Sequence, residues 1–299
     1  MTNATPCEIA WIGSGVMGRS MAGHLLAAGH RLRVHSRTRA KANELVARGA
    51  RWCDSPAEAA DGADLAISIV GMPGDVEAVH LGELGTLAAT NPPKVVVDMT
   101  TSSPALARTI AERARARGTG AVDAPVSGGD VGARNATLSI MVGGDEAAVA
   151  AALPAFERLG KTVVHHGPAG SGQHVKMVNQ ILIAGTMLGM CEGLRYAESS
   201  GLDPEKVLAS VGGGAAGSWS IQNLAPRILR GDFEPGFRID HFLKDLSIAL
   251  AEARTQGLDL PGLALAERLY RIAVEEGLSG RGTQALIQVV SPQDARSRA

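Results

Sequence analysis

The chain has 299 residues, a formal net charge of −1 and only three cysteines, and these numbers exclude several classes of protein. A nucleic-acid or membrane-surface protein would need a basic excess, and scattered cysteines without CxxC spacing favour a reduced chain over a disulfide or metal framework. No apolar run approaches the roughly 20 residues of a membrane span, and no signal peptide is evident. We expect a cytoplasmic protein with no nucleic-acid, membrane or metal partner, long enough for two domains.

The first half of the chain alternates short apolar runs with helix-like stretches. Expected strands cover residues 8–12, 31–35, 65–70, 95–98, 120–123, 138–142 and 162–165. Expected helices cover residues 17–28 and 40–48, a segment from 74, then 104–117 and 146–159. Strands that alternate with helices in this way predict βαβ units, and therefore an α/β, Rossmann-like doubly wound sheet.

The second half of the chain predicts helices throughout. Gly185, Gly189 and Gly193 recur at four-residue spacing, which favours close helix packing and predicts a long buried helix at about 170–200. Further helices are expected at 204–211, 218–229, 240–256 and 261–276, with N-caps at Asp203 and Asp240 and C-terminal stops at Gly257 and Gly277. The sequence thus predicts a dinucleotide-binding domain over 1–166 and an all-helical substrate and oligomerisation domain over 167–299, joined by the long helix.

A glycine-rich hexapeptide follows the first predicted strand and opens a helix. Its residues are Gly13, Ser14, Gly15, Val16, Met17 and Gly18. The GxGxxG pattern is weak by itself, but this strand–turn–helix context is the one that a dinucleotide site requires. Gly13 allows the tight turn, Gly15 admits the pyrophosphate and Gly18 lets helix and strand pack closely, so the helix amides face the phosphates.

The end of the second predicted strand indicates which dinucleotide binds. An NAD enzyme places Asp or Glu there for the ribose hydroxyls, but no acidic residue occurs between Arg31 and Asn43. Ser36, Arg37 and Thr38 stand there instead, and a guanidinium with hydroxyls suits a 2′-phosphate. We therefore predict NADP(H) in preference to NAD(H). The alternative is that the arginines are solvated surface charges.

Two further segments carry candidate chemistry. Ser127, Gly128 and Gly129 follow a predicted strand and offer a hydroxyl and unhindered amides to a carboxylate or carbonyl oxygen. Lys176 and Asn179 lie three residues apart after a glycine-rich entry, so one helix face carries both an amine and an amide. These residues predict a proton donor for carbonyl reduction. Alone, they could equally be a snorkelling lysine and an interface amide.

Taken with Asp98-Met99-Thr100-Thr101 and Lys244-Asp245, these motifs resemble the β-hydroxyacid dehydrogenase family over roughly residues 8–290. The family includes 3-hydroxyisobutyrate dehydrogenases and tartronate semialdehyde reductases, and the pattern is closest to its glyoxylate/succinic semialdehyde reductases. The resemblance implies that Lys176 is the general acid/base. It implies substrate contacts from Ser127, Gly128, Gly129, Asn179, Phe237 and Asp245. It implies further cofactor contacts from Ser36, Arg37, Thr38, Met72, Pro73, Thr101 and Lys244.

The function expected from the resemblance is NADP(H)-dependent interconversion of a small β-hydroxyacid and its semialdehyde. Glyoxylate, succinic semialdehyde and related semialdehydes are the favoured substrates, although the sequence fixes neither the substrate nor the direction. The alternatives are an imine reductase of the same architecture, whose members generally lack the lysine, and a non-catalytic NADPH-binding module. A homodimer or homotetramer built through the helices is expected.

Two further features of the sequence, His165-His166 and Gly212–Trp219, each allow more than one interpretation. His165-His166 is either a strand-end pair or a set of metal ligands, and no matched spacing of other ligands supports the second. The segment Gly212–Trp219 could be a mobile loop that closes on the substrate, a subunit contact or a plain helix connection. The sequence does not separate these three.

Overall fold

The structure is a computed structural model that describes residues 6–290. The chain divides into two compact units, and the division falls between Lys176 and Met177. This point lies inside one continuous helix, α8 (Ser171–Ser199). A helix of 29 residues therefore begins in the first unit and continues into the second.

The first unit is built on a nine-stranded sheet. Its strands are β1 (Glu8–Ile12), β2 (Arg31–His35), β3 (Arg51–Trp52), β4 (Leu65–Ser68), β5 (Val95–Asp98), β6 (Gly120–Asp123), β7 (Val126–Ser127), β8 (Leu138–Gly144) and β9 (Gly160–His165). The order β3-β2-β1-β4-β5-β6 is parallel throughout, and it is the order of a doubly wound dinucleotide-binding sheet. The predicted α/β fold class is confirmed. The sheet departs from an all-parallel one because β8 runs antiparallel to β6 and to β7, with β9 parallel to β8.

Helices cover both faces of this sheet. They are α1 (Val16–Ala27), α2 (Asn43–Ala47), α3 (Pro56–Ala60), α4 (Pro73–Leu81), α5 (Pro104–Arg115), α6 (Gly129–Arg134) and α7 (Glu146–Phe156). Strands β4 and β5 are buried along their whole length and β1 from Ile9 onwards, and alternate residues enter two separate apolar clusters. Trp11 and Ile67 belong to one cluster, whereas Ala10 and Ala66 belong to the other. Near-continuous apolar strands are what two-sided burial requires.

Four short elements of the first unit were not predicted from the sequence: β3, β7, α3 and α6. Each has six residues or fewer, which is too short for hydrophobic periodicity to identify. The helix expected at 40–48 is a 3₁₀ turn, Arg39–Ala42, followed by the five-residue α2. The main strands and the longer helices of this unit lie where the alternation predicts them.

The second unit contains helices only, within the described residues. After α8 they are α9 (Pro204–Val211), α10 (Trp219–Asn223), α11 (Ala225–Leu229), α12 (Ile239–Thr255) and α13 (Pro261–Glu275), and a 3₁₀ turn covers Thr283–Gln288. Their core includes Met187 and Cys191 from α8, Phe242 from α12 and Tyr270 from α13. The Phe242 and Tyr270 rings meet edge to face, with centroids 4.9 Å apart, which is a favourable arrangement for aromatic pairs.

Helix ends in this unit agree only in part with the sequence. Asp203 caps α9 as predicted, since its carboxylate accepts from the Glu205 amide at 3.0 Å. Gly257 and Gly277 follow their helices with φ values of +70° and +83°. Asp240 is not an N-cap: Arg238 takes that position, and Asp240 lies in the first turn and pairs with it.

The single helix predicted over 218–229 is also wrong. Two short helices, α10 and α11, are separated at Leu224. Pro226 follows within two residues, and it cannot donate the backbone hydrogen bond that a continuous helix would need there. Helical propensity alone did not reveal this break.

The glycine stripe of α8 is not buried, contrary to the sequence prediction. A Cβ placed on Gly185, Gly189 or Gly193 would meet no heavy atom within 4 Å. The same helix is also the one described helix that is long and apolar enough to cross a membrane, with 44% of its apolar window buried. Length and composition of this kind are shared by core helices of soluble proteins, so this feature assigns no location by itself.

Buried polar side chains at the carboxyl ends of β4 and β5 form a series of hydrogen bonds with helix α4. Asp98 accepts from the Ser68 hydroxyl at 2.9 Å, and Ser68 Oγ lies 2.9 Å from His80 Nε2. His80 Nδ1 lies 2.9 Å from Thr86 Oγ1. Since a carboxylate only accepts, Ser68 donates to Asp98, Nε2 donates to Ser68, and Nδ1 accepts from Thr86. Burial lowers the pKa of His80 to about 4, which keeps it neutral as this arrangement requires.

We predict that His80→Gln removes a pH-dependent part of the stability. The unfolded chain binds a proton at His80 near its ordinary pKa of 6.5, but the folded protein does so only near pH 4. Stability is therefore lost as the pH falls through this window, by about 3 kcal/mol. The His80→Gln protein should avoid this loss, so its free energy of unfolding relative to the wild type should rise by about this amount between pH 7 and pH 4, measured by urea unfolding followed by tryptophan fluorescence.

The comparison with the variant is needed because Asp98 acts in the opposite direction. Burial raises the pKa of Asp98 to about 6, so this carboxyl stabilises the fold as the pH falls. The exposed His166→Gln serves as the control and should follow the wild type. A His80→Gln protein whose stability changes with pH in parallel with the wild type would contradict the prediction.

Candidate active site

The carboxyl ends of the parallel strands form the first part of the candidate site. Strands β1, β2 and β3 are added towards one side of the sheet, and β4, β5 and β6 towards the other. The order of the strands therefore reverses between β1 and β4, which are neighbours in the sheet. Ligands of doubly wound sheets bind beyond the strand ends at such a point. The loops that follow β1, β2, β4 and β5 end at this side of the sheet, and these loops and the first turns of α1 and α4 contain all the predicted cofactor residues of the first unit.

The glycine-rich loop lies directly after β1. Gly13 has a φ of +105°, and its amide donates to the His35 carbonyl at 2.9 Å, which joins the ends of β1 and β2. A Cβ on Gly18 would lie 2.1 Å from the Gly13 carbonyl oxygen, so only glycine allows helix α1 to pack this closely. The hydroxyl oxygen of Ser14 is buried and has no hydrogen-bond partner. An unpartnered polar atom in a loop of this shape fits a bound phosphate oxygen.

The residues after β2 lie beside this loop. The Ser14 amide donates to the Ser36 hydroxyl at 3.4 Å. Arg37 is largely exposed, and its guanidinium pairs with Asp75 at 3.0 Å. The other oxygen of Asp75 accepts from the Met72 amide at 3.1 Å. Asp75 therefore connects Arg37, which the sequence assigned to a 2′-phosphate, to the Met72-Pro73 segment assigned to the cofactor loop.

The loops after β4 and β5 are held together by Thr100. Its hydroxyl accepts from the Val70 amide at 2.9 Å, and its own amide donates to Asp98 at 3.1 Å. Thr101, a predicted cofactor contact, is the next residue. The loop that carries Thr101 is thus attached to a buried carboxylate on one side and to the neighbouring loop on the other.

Lys176 lies near the start of α8 and is 6% exposed. Its ammonium group donates to the Val126 carbonyl at 2.8 Å. Val126 is followed at once by Ser127, Gly128 and Gly129, so the structure brings the predicted catalytic amine to the strand that carries the predicted carboxylate-binding turn. This group of residues belongs entirely to the first unit.

Asp123 and Gln173 were missed as site residues by the sequence reasoning. The Asp123 carboxylate accepts from the Gly170 amide at 2.7 Å and from the Gln173 amide at 2.8 Å. Gly170 immediately precedes α8 and Gln173 lies in its first turn, and amides at a helix N-terminus lack partners within the helix. Burial raises the pKa of Asp123, and the hydrogen bonds from these amides oppose that shift. Asp123 stands at a strand end and Gln173 within the glycine-rich entry, so both stood within segments already singled out.

The second unit places the other predicted substrate residues in a hydrogen-bonded chain. Asn179 donates to Gln180 at 2.6 Å, and Gln180 donates to Asp245 at 2.5 Å. The second oxygen of Asp245 forms an ion pair with Lys244 at 2.8 Å. Phe237, also predicted at the substrate, packs edge to face on Phe242 with ring centroids 5.6 Å apart. Gln180 was not predicted, although it orients both Asn179 and Asp245.

His165-His166 and the segment Gly212–Trp219 are the two features that the sequence left open. The ring of His165 bonds the carbonyls of Gly144 and Gly167 at 2.8 and 2.9 Å, and residues 6–290 contain no cluster of three or more side chains suited to a metal. Trp219 begins α10 and is 63% exposed. The segment Gly212–Trp219 thus connects α9 to α10, and the three interpretations given for it stay open.

Comparisons with known proteins cover nearly the whole chain. Residues 8–167 match the family model for the NAD binding domain of 6-phosphogluconate dehydrogenase. Residues 170–290 match the family model for the NAD-binding region of NADP-dependent 3-hydroxyisobutyrate dehydrogenase. The chain is 50% identical to a probable 3-hydroxyisobutyrate dehydrogenase-like 1, mitochondrial, of Arabidopsis thaliana, over 94% of this chain and 84% of that protein.

Two further proteins are similar over their full length. The 2-hydroxy-3-oxopropionate reductase of Escherichia coli is 37% identical, over 95% of this chain and 97% of that protein. A solved structure of Mycobacterium tuberculosis 3-hydroxyisobutyrate dehydrogenase with L-serine has a TM-score of 0.87 and 29% identity, covering 96% of this chain and 100% of that one. Both the fold and the order of the two units are therefore those of these dehydrogenases.

Proposed function

This chain belongs to the β-hydroxyacid dehydrogenase family, and from that membership we propose that it is an NADP(H)-dependent enzyme that interconverts a small β-hydroxyacid and its semialdehyde. The family consists of NAD(P)-dependent oxidoreductases of small hydroxy acids. The proposed reaction rests on one observation: the buried Lys176 ammonium lies 2.8 Å from the carbonyl that precedes Ser127-Gly128-Gly129.

The residues of the dinucleotide site fit the cofactor. The Gly13–Gly18 loop has the close helix–strand packing that the pyrophosphate requires, and the Ser14 hydroxyl is a buried atom without a partner. When bound, the cofactor supplies the hydride. The first amides of α1 and the Ser14 hydroxyl would hold its phosphates, and Thr101 would be a further contact.

Lys176 supplies the proton that accompanies the hydride. As hydride reaches the carbonyl carbon, the carbonyl oxygen becomes an alkoxide, and the ammonium group of Lys176 donates a proton to that oxygen. In the oxidation direction the neutral amine accepts the hydroxyl proton. Ser127 and the amides of Gly128 and Gly129 orient the substrate carboxylate, which would explain a requirement for an acid group.

The substrate class follows from these groups together with the relatives. The E. coli relative is named for reduction of 2-hydroxy-3-oxopropionate, and the Mycobacterium tuberculosis structure contains L-serine. Both compounds carry a carboxylate and an aldehyde or hydroxyl two carbons away from it. The test is a panel of glyoxylate, tartronate semialdehyde, methylmalonate semialdehyde and succinic semialdehyde, with L-serine for the oxidation direction. A cyclic imine in the same panel separates this class from imine reduction.

We predict that Lys176→Ala lowers kcat by a factor of about 10² to 10⁴, which is the usual contribution of a positioned proton donor. Lys176→Arg should be nearly as inactive, because a guanidinium does not release its proton at neutral pH. The NADPH dissociation constant should change little in both. Exposed Lys161→Ala is the control, and a Lys176→Ala enzyme with near-normal turnover would refute the proposed role.

We propose a preference for NADP(H) on the ground given by the sequence. Arg37 and Thr38 follow β2, and no acidic residue stands at the end of that strand. The ion pair between Arg37 and Asp75 does not oppose this. Arg37 donates one hydrogen bond to Asp75, and an exposed ion pair contributes only about 0–1 kcal/mol, whereas a 2′-phosphate offers more negative charge and three acceptor oxygens. A 2′-phosphate would therefore be the stronger partner for Arg37.

We predict that Arg37→Ala weakens NADPH binding roughly 10- to 100-fold and leaves NADH binding unchanged, because only NADPH carries the phosphate. Fluorescence titration of both cofactors measures this directly. Arg51→Ala provides a matched control, since Arg51 is also exposed and also pairs with an acidic residue, Glu58. Equal loss for both cofactors would mean that Arg37 does not read the 2′-phosphate.

A homo-oligomer is proposed from the exposed face of α8. Leu182 and Tyr196 are 66% and 74% exposed, and they flank the uncovered Gly185, Gly189 and Gly193. Large apolar side chains beside small residues suit close packing against a second helix. A second copy of the chain supplies such a helix.

We predict that Leu182→Glu lowers the mass measured by light scattering, from a dimer or tetramer towards the monomer, because the carboxylate would be buried in the interface. Leu258→Glu is the control, since Leu258 is similarly exposed at 53% but lies after α12. A wild-type protein that is monomeric at micromolar concentration would remove the proposal.

A further inference from the structure

Gln173 has a set of contacts that the functional assignment does not use. Its side chain is completely buried, and both of its polar atoms bond backbone groups of one distant loop. The side-chain oxygen accepts from the Ser102 amide at 2.9 Å, and the side-chain nitrogen donates to the Thr100 carbonyl at 2.8 Å. The amide thus brackets Thr101 from both sides.

The backbone of Gln173 is fixed independently of its side chain. Its amide donates to the Asp123 carboxylate at 2.8 Å. Gly172, the preceding residue, lies so close to the sheet that a Cβ there would be 2.4 Å from the Met141 carbonyl oxygen. The first turn of α8 is therefore held against the ends of the strands, and Lys176 follows Gln173 by three residues.

The loop that Gln173 holds is also attached on its other side. Thr100 bonds the Asp98 carboxylate and the Val70 amide. Gln173 therefore completes a continuous series of hydrogen bonds. The series runs from the loop after β4, through the loop after β5, to the helix α8 that carries Lys176. All of these contacts lie within the first unit.

We propose that Gln173 is a positioning residue for hydride transfer, because its side-chain amide sets the distance between the Thr101 segment beside the cofactor and the helix turn that carries Lys176. This inference rests on the proposed function, since it requires that Thr101 faces the cofactor and that Lys176 is the proton donor. Reactions between two held groups are sensitive to small displacements, and a shift of about 1 Å can cost about 10²-fold in rate.

Removing the amide should therefore affect chemistry more than binding. Gln173→Met keeps the length of the side chain and loses both hydrogen bonds, and Gln173→Glu keeps an acceptor for the Ser102 amide but cannot donate to Thr100 when ionised. In the full-length enzyme we expect the single-turnover rate of hydride transfer from NADPH to fall at least 10-fold in Gln173→Met. The primary isotope effect on kcat with 4-deuterated NADPH should increase, while KM for the acid changes less than kcat.

Gln284 offers a matched control. It is also a buried glutamine, 1% exposed, whose side-chain nitrogen donates to the backbone carbonyls of Asp232 and Glu234 in the second unit. Gln284→Met should lose comparable thermal stability but retain the wild-type rate of hydride transfer and isotope effect. Equal kinetic effects in the two methionine variants would show that the loss of any buried side-chain hydrogen bond, and not the positioning of Thr101 and Lys176, explains the lower rate.

The two hydrogen bonds from the Gln173 side chain to the loop 100–102 are called the clamp here. Amide hydrogen exchange of the wild-type protein tests this clamp even if the Gln173 variants do not fold. Residues 100–102 should exchange much more slowly than the exposed residues 213–217. Exchange at similar rates would overturn the inference, as would a folded Gln173→Met enzyme with an unchanged rate and isotope effect. A wild-type protein that transfers no hydride to any carbonyl acid would instead contradict the proposed function, with the exchange result still testing the clamp.

Discussion

Two hydrogen bonds to the Asp123 carboxylate determine where the long helix begins. The amides of Gly170 and Gln173 donate to it at 2.7 and 2.8 Å, and the first amides of a helix have no partner within the helix itself. A buried carboxylate without donors would be costly, and a helix N-terminus without acceptors would be costly too, so each compensates for the other. Lys176 is positioned by this contact, because it lies within the next turn of the same helix.

The same principle organises the rest of the sheet edge. Three neighbouring strands, β4, β5 and β6, end in the buried polar residues Ser68, Asp98 and Asp123. Asp98 accepts from the Ser68 hydroxyl and from the Thr100 amide, and Asp123 accepts from amides at the start of α8. The loops that bind the cofactor are thus attached to the core through side-chain hydrogen bonds, which is how a loop acquires the precision that a reaction requires.

Fold and function depend here on residues of different kinds. Apolar residues on the two faces of the strands specify the doubly wound sheet, and many alanines and valines could be exchanged without altering it. Gly13 and Gly18 allow no such exchange, because a Cβ on either would lie 2.1 Å from a backbone carbonyl oxygen. The second unit repeats the pattern, since its helices pack through Phe242 and Tyr270 while Gln180 connects Asn179 to Asp245.

The sequence by itself determined the doubly wound sheet, the helical second half, the glycine-rich loop and the order of the family's motifs. These features are encoded locally, in hydrophobic periodicity and in residues close together along the chain. It did not determine the antiparallel β8, the break at Leu224 or the exposure of Gly185, Gly189 and Gly193, because each depends on what lies beside the segment in space. Only the tertiary structure assigned partners to Asp123 and Gln173. Their contacts join residues about 50 and 70 positions apart, and no local pattern records which buried polar groups will meet.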